Sequence, residues 1–272
     1  MLMIDMHVHS RYSDGSLGTA QLAAAAKRRG LSLLALTDHD TTAGLPSFAE
    51  ACSAEGIAAL SGIELSAEAP YTLHILGYRI APGGRLEERL ADIRNKRNAR
   101  NLLICEKLRR LGLDVTEEEA KGISGGEVVA RPHIARLLIK KGYVGSTAEA
   151  FTKYLDRGGA AYVERERLSA EECISLIREA GGLAVLAHPA QCRLDDDGLL
   201  ALLARLKEAG LWGMEALYGA NCAETTYKHL KMAGQMGLYP TAGSDFHDGS
   251  RGTGLGMAVS EDFLPWARLR VR

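Results

Sequence analysis

The sequence predicts an α/β fold in which a barrel-like sheet carries an inserted set of helices. Seven apolar segments typical of strands mostly alternate with helical segments, the pattern of a sheet covered by helices. Residues 82–159 interrupt this alternation with helical periodicity alone. Polar side chains follow the predicted strands, at the end where barrel enzymes build their sites. We therefore predict a discontinuous barrel domain at residues 1–80 and 160–272, with a helical cap at residues 81–159.

The composition is that of a globular protein and excludes several classes of function. A net charge of −1 argues against a broad basic surface for duplex nucleic acid. No apolar run approaches the ~20 residues that a membrane span needs, and the N-terminus has no secretory pattern. The five cysteines are widely spaced, and no CxxC motif occurs. This usage is typical of reduced thiols, so we predict a cytoplasmic protein.

The first part of the predicted barrel contains four strands. A Thr19-capped helix and the glycines Gly30 and Gly56 separate the first three of them. The predicted order is a strand to about residue 7, a helix at 20–29, a strand at 31–37, a helix at 45–54, and strands at 57–62 and 71–78.

The remaining elements divide between the cap and the rest of the barrel. In the cap we predict a long basic helix at 86–111 and helices at 116–121, 131–141 and 146–154. In the barrel we predict helices at 170–180, 196–209 and 223–236, and strands at 183–187, 212–217 and 238–242.

The end of the first strand carries the first candidate site. His7 and His9 are two residues apart, so an extended chain projects both imidazoles to one face. Asp14 follows on the next loop. Two imidazoles and a carboxylate are the beginning of a metal site. A half-buried strand can also carry two histidines for packing, and the motif alone leaves that alternative open.

Further ligand-type side chains fall near the ends of other predicted strands. Together with His7 and His9, they include six of the eight histidines in the chain. Burying so many imidazoles and carboxylates together without a cation is costly. One ion needs four to six ligands, so the set suffices for two or three divalent ions, and Mn, Fe or Zn suit it better than Mg. The candidates are His7, His9, Asp14, His39, Glu64, His74, His188, Asp245 and His247.

Cationic residues of the cap are candidates for binding an anion. Arg131 and His133 begin a predicted helix. Two interpretations of these residues remain open, a structural role at the start of the helix and an anion-binding site. The long helix carries a basic face whose default interpretation is a solvated surface. Within it, Arg97 and Arg100 are placed best to reach a phosphate.

Three other residues are given structural interpretations. Glu215 lies in the sixth predicted strand and Tyr218 follows it, and we expect them to support the site rather than bind metal. His229 lies in a predicted helix beside two lysines, and we expect it to be solvated.

Six ordered motifs resemble the PHP (polymerase and histidinol phosphatase) superfamily, and together they cover nearly the whole chain. The cap sequence around Arg131 resembles the branch containing phosphatases of 3′,5′-nucleoside bisphosphates and exoribonucleases acting on RNA 5′ ends. The motifs are Asp5-Met6-His7-Val8-His9-Ser10 with Ser13-Asp14-Gly15, Thr37-Asp38-His39-Asp40, Gly62-Ile63-Glu64-Leu65-Ser66, His74-Ile75-Leu76-Gly77-Tyr78, Ala187-His188-Pro189 and Gly243-Ser244-Asp245-Phe246-His247.

The resemblance implies a distorted (β/α)7 barrel with a small helical cap and a trinuclear metal centre. It implies three groups of ligands, of which the first two share Glu64 as a bridge. In that arrangement His7, His9, Glu64 and Asp245 hold one ion, His74 and His188 join Glu64 at the second, and Asp14, His39 and His247 hold the third.

The activity that we predict is metal-dependent hydrolysis of nucleotide phosphomonoesters, of 3′,5′-nucleoside bisphosphates above all, with short RNA 5′ ends as possible further substrates. The expected attacking group is a metal-bound water or hydroxide held by Glu64, Asp245, His7 and His9. Arg131 and His133, with Arg97 or Arg100, are expected to bind a second phosphate. The predicted partner is thus a small phosphorylated substrate or short single-stranded RNA, with no membrane and no obligate protein partner.

Three alternatives remain open. A histidinol-phosphate phosphatase uses the same chemistry. A proofreading-type exonuclease module ranks lower, since no polymerase region follows in the sequence. A metal-binding regulatory module without turnover belongs to a different class, and the full set of ligands speaks against it.

Overall fold

The computed structural model describes residues 1–124, 129–164, 166–248, 254–263, 265 and 269. Within them, eight strands form one sheet in the order β7-β6-β5-β4-β3-β2-β1-β8. The strands are β1 (Leu2–Val8), β2 (Leu33–Leu36), β3 (Ala58–Ser66), β4 (His74–Tyr78), β5 (Leu183–Leu186), β6 (Gly213–Tyr218), β7 (Tyr239–Gly243) and β8 (Met257–Val259).

The helices follow the predicted order, with small shifts at their ends. The N-cap residue of the first helix is Gly18, and Thr19 is the first residue of the helix. The prediction that Thr19 caps this helix is therefore wrong. The helices are α1 (Thr19–Arg28), α2 (Leu45–Glu55), α3 (Gly84–Arg110), α4 (Glu117–Ser124), α5 (Arg131–Lys140), α6 (Thr147–Ala150) running into a π-helical turn (Phe151–Leu155), α7 (Ala170–Glu179), α8 (Asp196–Glu208) and α9 (Ala223–Met236), with short 3₁₀ turns at Pro189–Cys192 and Glu261–Phe263.

The sheet curves into a nearly closed barrel. An isolated bridge between Val8 and Phe246 joins the end of β1 to the segment after β7, and the His9 amide donates to the Phe246 carbonyl at 2.9 Å. This architecture confirms the predicted α/β barrel. Two features of the sheet were not predicted. Strand β4 is antiparallel to both of its neighbours, and β8 adds an antiparallel strand beside β1. The periodicity of a strand in the sequence does not indicate the direction in which it pairs.

Both faces of the sheet are covered, which explains why its strands are almost continuously apolar. In β2, Leu33 and Ala35 belong to a cluster formed mainly by strand residues. Leu34 and Leu36 belong to the cluster between the sheet and the helices. A strand with two buried faces has no solvent side that would select polar residues.

The helices after β4 have a hydrophobic core of their own. It includes Ile104, Leu108, Ile134 and Leu138 from α3 and α5. The N-terminal half of α3 instead places Leu86 in the barrel's core. One long helix therefore ties the cap to the barrel, and the division at residues 81 and 159 stays a prediction.

Two histidines outside the barrel rim are buried. His229 is only 2% exposed, so the expectation that it is solvated is wrong. It lies on the face of α9 that packs inward, with Nδ1 3.4 Å from the Asn221 amide nitrogen. His133 is 1% exposed, and its Nδ1 accepts the Ala130 amide hydrogen at 3.0 Å at the start of α5. Burial, assisted by Arg136, lowers the His133 pKa to about 4.

The described cysteines are all free thiols. No helix in the described part of the chain is long and apolar enough to cross a membrane.

We predict that His133 makes the stability of the cap depend on pH. The folded state holds this imidazole neutral, whereas the unfolded chain protonates it below its ordinary pKa. Between pH 7 and pH 5 the protein should lose about 2 kcal/mol of unfolding free energy through this residue. His133→Gln should lower stability at pH 7 but show a shallower decline with falling pH in urea unfolding. The measurement is made in chelator, so that metal binding adds no pH dependence. Parallel declines in both proteins would contradict the assignment.

Candidate metal centre

The nine predicted ligands lie together at one rim of the barrel. His39, His188, Asp245 and His247 follow β2, β5 and β7, where parallel strands end. His74 is different, since it begins its strand. Because β4 is antiparallel and pairs Ser66 with His74, its first residue reaches the same rim as the last residue of β3.

Glu64 is the centre of the cluster. Its carboxylate is fully buried and lies within 3.4 Å of five imidazoles, three at Oε2 and two at Oε1. The distances are 3.4 Å to His7 Nε2, 3.2 Å to His9 Nε2 and 3.0 Å to His39 Nδ1 from Oε2, and 2.8 Å to His74 Nδ1 and 3.0 Å to His188 Nε2 from Oε1.

Potential ligand atoms form three groups, and within each group all atoms lie within 4.8 Å of one another. Each pair of groups shares one residue, which is His9, Glu64 or His39. A neutral imidazole offers one lone pair, whereas a carboxylate offers two oxygens, so Glu64 is the shared residue best suited to bridge two ions. The groups are His7, His9, Glu64 and Asp245; His9, Asp14, His39 and His247; and His39, Glu64 and His74.

Several buried atoms of this cluster have no hydrogen-bond partner in the protein. They include both nitrogens of His9 and the Glu64 Oε2 atom. Buried polar atoms are almost always satisfied, so a group of unsatisfied nitrogens and oxygens at one point calls for a missing partner. Imidazole and carboxylate are ligands of first-row divalent ions. The residues therefore fit a metal centre.

The electrostatics of the cluster point the same way. Burial acts to raise the Glu64 pKa, but His39 and His74 lower it well below its usual range. Burial acts to lower the His9 pKa, yet Asp245 and Glu64 raise it to about 10. In the protein alone, protons on His7 and His9 offset part of the buried carboxylate charge, whereas burial lowers the pKa of His74 to about 4. A divalent ion held by these residues would replace the protons as the compensating charge.

Glu215 supports two of the imidazole-bearing segments from behind. Its side chain is fully buried, with Oε1 3.0 Å from His7 Nδ1, and Oε2 accepts the His188 amide hydrogen at 2.7 Å. A carboxylate on the far nitrogen of a ligating imidazole fixes its tautomer and orientation. This arrangement agrees with the supporting role expected from the sequence.

Two further buried aspartates hold the loops that carry ligands. Asp38 accepts hydrogen bonds from the Ser10 amide at 2.7 Å and the Ser13 hydroxyl at 2.6 Å, which orders the loop before Asp14. Asp5 accepts from the Ser244 amide at 2.9 Å and the Gly256 amide at 2.8 Å, beside Asp245. Both aspartates belong to the motifs quoted from the sequence, but the sequence does not indicate that the partner segments of Asp5 lie about 240 residues away.

The backbone near the ligands is tightly constrained. Asp245 and His188 have positive φ angles of 56° and 25°, a strained conformation for non-glycine residues. A Cβ atom on Gly243 would lie 2.3 Å from His7 Cβ and 2.5 Å from Glu215 Oε1. Only glycine therefore allows β7 to approach β1 closely enough to join Asp245 to His7 and His9.

A cavity of about 290 Å³ opens above the cluster and is lined by arginines from the cap side. Arg97 and Arg100 are 4% and 7% exposed, so these two point inward from the basic helix. Arg97 forms a buried ion pair with Asp40, the residue after His39. Arg131 also lines the cavity, whereas His133 is not among its lining residues in the described chain.

The sequence patterns did not single out all the polar residues of this cavity. Arg167 and Gln191 line it too. Both lie in irregular segments, one before α7 and one in the turn after β5, where no periodicity indicates the direction of a side chain. Tyr218 donates to Asp245 Oδ2 at 3.3 Å and accepts from Gln191 at 2.9 Å, which places it in support of a candidate ligand.

Comparisons with known proteins agree with this geometry. The PHP domain family model matches residues 5–208. A 3′,5′-nucleoside bisphosphate phosphatase from Chromobacterium violaceum is 35% identical over 100% of this chain and 98% of its own. The 5′-3′ exoribonuclease Rnm of Salmonella typhimurium is 34% identical over 90% of this chain and 85% of its own. A solved structure from Bifidobacterium adolescentis, described as a metal-dependent phosphoesterase, has a TM-score of 0.83 and 29% identity, covering 95% of this chain and 92% of that one.

We predict that Glu215→Ala weakens metal binding without removing a ligand. Loss of such a supporting carboxylate typically costs about 10- to 100-fold in metal affinity. Glu215→Gln keeps an acceptor for the imidazole and should lose less. The measurement is metal content after dialysis against a graded chelator. The control is Glu224→Ala, which removes an exposed glutamate of α9. Equal retention by Glu215→Ala and the control would rule out the supporting role.

Proposed function

The chain belongs to the PHP domain family, and on that premise we propose that it is a metal-dependent phosphoesterase that hydrolyses phosphomonoesters of nucleotides. The observation that carries this proposal is the cluster of buried, unsatisfied ligand atoms around Glu64 at the floor of an arginine-lined cavity. Divalent cations below and guanidinium groups above suit a substrate with more than one phosphate.

We assign the candidate ligands to three ions. His7, His9, Glu64 and Asp245 hold the first, as their mutual proximity supports. Glu64 extends to a second ion together with His74 and His188, both of which lie beside its Oε1 atom. Asp14, His39 and His247 hold the third. Manganese, iron or zinc matches this donor set best.

When bound, such ions polarise the phosphoryl group and lower the pKa of a water molecule that can act as nucleophile. The protein's own residues supply position and charge. The buried carboxylates fix the centre at the floor of the cavity. Arg97 and Arg100 from α3 neutralise oxygens of the bound phosphates, and the ion pair with Asp40 keeps Arg97 beside the His39 segment.

We propose 3′,5′-nucleoside bisphosphates as the preferred substrates, with removal of the 3′-phosphate. Arg131 lines the cavity and, with Arg97 and Arg100, is placed to bind the phosphate that does not react. His133 lies behind them at the start of α5 and serves the site by ordering that helix. The similarity to a nucleoside bisphosphate phosphatase and an exoribonuclease favours nucleotides over histidinol phosphate. The free thiols of the structure support the cytoplasmic location that the sequence predicts.

We predict that Asp245→Ala lowers both metal content and phosphatase activity. Asp245 approaches His7 and His9 at 3.5 and 3.3 Å, so its loss removes charge from the first proposed ion site. Release of phosphate from adenosine 3′,5′-bisphosphate should fall by about 100-fold or more. Asp262→Ala, which removes an exposed aspartate, is the control. Unchanged metal stoichiometry in Asp245→Ala would contradict the ligand assignment.

We predict that the arginines of the cap cause the enzyme to prefer a bisphosphate over a monophosphate. Arg100→Ala should raise KM for adenosine 3′,5′-bisphosphate by about tenfold, the value of one charge-assisted phosphate contact, and should affect p-nitrophenyl phosphate much less. The same assay includes histidinol phosphate. A higher kcat/KM for histidinol phosphate than for the bisphosphate would favour the alternative phosphatase. Absence of turnover on every phosphate ester would favour a regulatory metal-binding module.

A further inference from the structure

Helix α3 has an exposed face opposite the one that packs into the protein. On the packed side, Leu90, Ile104 and Leu108 are fully buried. On the outward side, Leu102 and Leu103 are 49% and 48% exposed. Two adjacent exposed leucines in the middle of a polar helix surface form an apolar patch with a polar rim, and such a patch typically marks a site of interaction.

The residues of this exposed face recur at alternating intervals of four and three residues. An average interval of 3.5 residues is the heptad spacing of a helix that packs lengthwise against another helix. The intervals follow one another along about 27 Å of α3. All the residues concerned are exposed except Asp92, which is half-buried. We call them the outer seam, and they are Asp92, Lys96, Ala99, Leu103, Glu106 and Arg110.

The charges of the outer seam are self-complementary when two copies of the helix run antiparallel. Leu102 then meets Leu102 of the second copy beside a two-fold axis level with Asn101. Two parallel copies in register would instead place every charge opposite its own kind. The pattern therefore selects a second copy in the antiparallel direction. The facing pairs are Asp92 with Arg110, Lys96 with Glu106, and Ala99 with Leu103.

Two of the four charged residues of the seam have no ionic contact within the chain. Glu106 and Arg110 are both exposed, and neither has an ion-pair partner among the residues that the structure describes. Pairing with a second copy therefore breaks no ion pair of these two residues.

The other two charged residues keep capacity for a further contact. Asp92 lies 3.0 Å from Arg89 and 3.2 Å from Lys96, and Oδ2 makes both contacts. Lys96 Nζ also lies 2.7 Å from Glu166, whose side chain is 70% exposed. A carboxylate has a second oxygen, and an ammonium group has three donor hydrogens. Asp92 and Lys96 can therefore each add a contact to a second copy without losing these pairs.

We propose that the chain forms a two-fold symmetric homodimer in which the outer seams of two α3 helices pair antiparallel. The dimer covers Leu102 and Leu103 of both copies. The seam contains few apolar residues, so we expect a dissociation constant on the order of micromolar rather than an obligate dimer. Arg97 and Arg100 are buried on the other side of α3, so the pairing does not cover them. The inference is independent of the proposed phosphoesterase function.

The first test measures the association of the full, manganese-loaded chain. Analytical ultracentrifugation over a series of concentrations should show the average mass increasing from the 29.2 kDa of one chain towards twice that value. Leu103→Asp places a charge at the centre of the seam twice in each dimer, so it should weaken association by about 30-fold or more. Tyr227→Asp is the matched control, since it changes an apolar side chain of α9 that is 72% exposed. It should leave the dissociation constant unchanged.

The second test exchanges charges to establish the antiparallel register. Glu106→Lys and Lys96→Glu each place like charges opposite one another in a homodimer, so each should weaken association by about tenfold. An equimolar mixture of the two variants should regain the wild-type affinity, because one copy then carries two positive charges at these positions and the other two negative charges. A misfolded variant cannot regain affinity in this way. Glu208→Lys, which makes the same change in net charge at an exposed position of α8, is the control and should associate like the wild type.

Each outcome supports or overturns the dimer. A protein that stays a monomer at every concentration overturns it. A monomer that sediments with phosphatidylglycerol vesicles, and loses this property in Leu103→Asp, assigns the leucines to a lipid surface instead. A dimer that Leu103→Asp and Tyr227→Asp leave equally strong overturns the outer seam as its interface. Failure of the two charge variants to associate when mixed overturns the antiparallel register, whereas recovery of association supports it.

Discussion

The burial of one carboxylate among five imidazoles is the constraint on which the rest of this structure depends. Glu64 is fully buried, and each of its oxygens faces at least two histidine nitrogens. Such a cluster is stable only when its charges are balanced, by protons in the protein alone or by divalent ions in the loaded enzyme. The barrel supplies the geometry, because it brings the ends of several distant strands to one rim.

The surrounding structure resists the tendency of these groups to separate. Glu215 holds His7 and the His188 backbone from below, while Asp38 and Asp5 order the loops that carry Asp14 and Asp245. These buried carboxylates make several hydrogen bonds each, so they also compensate for the positive φ angles at His188 and Asp245. The site is thus organised before a metal or a substrate binds.

The cap contributes charge where the barrel contributes ligands. Helix α3 begins in the barrel core and continues into the core of the cap, so its inward arginines are held rigidly relative to the metal centre. Arg97 joins the two parts through its ion pair with Asp40, beside His39. In the function that we propose, the barrel supplies the candidate metal ligands, and the arginines of the cap select the phosphorylated substrate.

Local patterns in the sequence were enough to predict the α/β barrel, most of its elements and the nine residues that gather at its rim, because strand ends and histidine spacing are local features. These patterns did not indicate the antiparallel direction of β4, the presence of β8, the burial of His229 or the partners of Asp5. All four depend on contacts between segments that are far apart in the chain. The assignment of ligands to individual ions came from family resemblance and stays a proposal. Tertiary structure alone decided that His74 reaches the rim from the start of its strand and that Arg157 and Arg193 line a groove beside the site. It also shows that Arg97 and Arg100, the two residues that the sequence singles out on the basic helix, are buried. Each of these depends on which surfaces meet after the chain has folded.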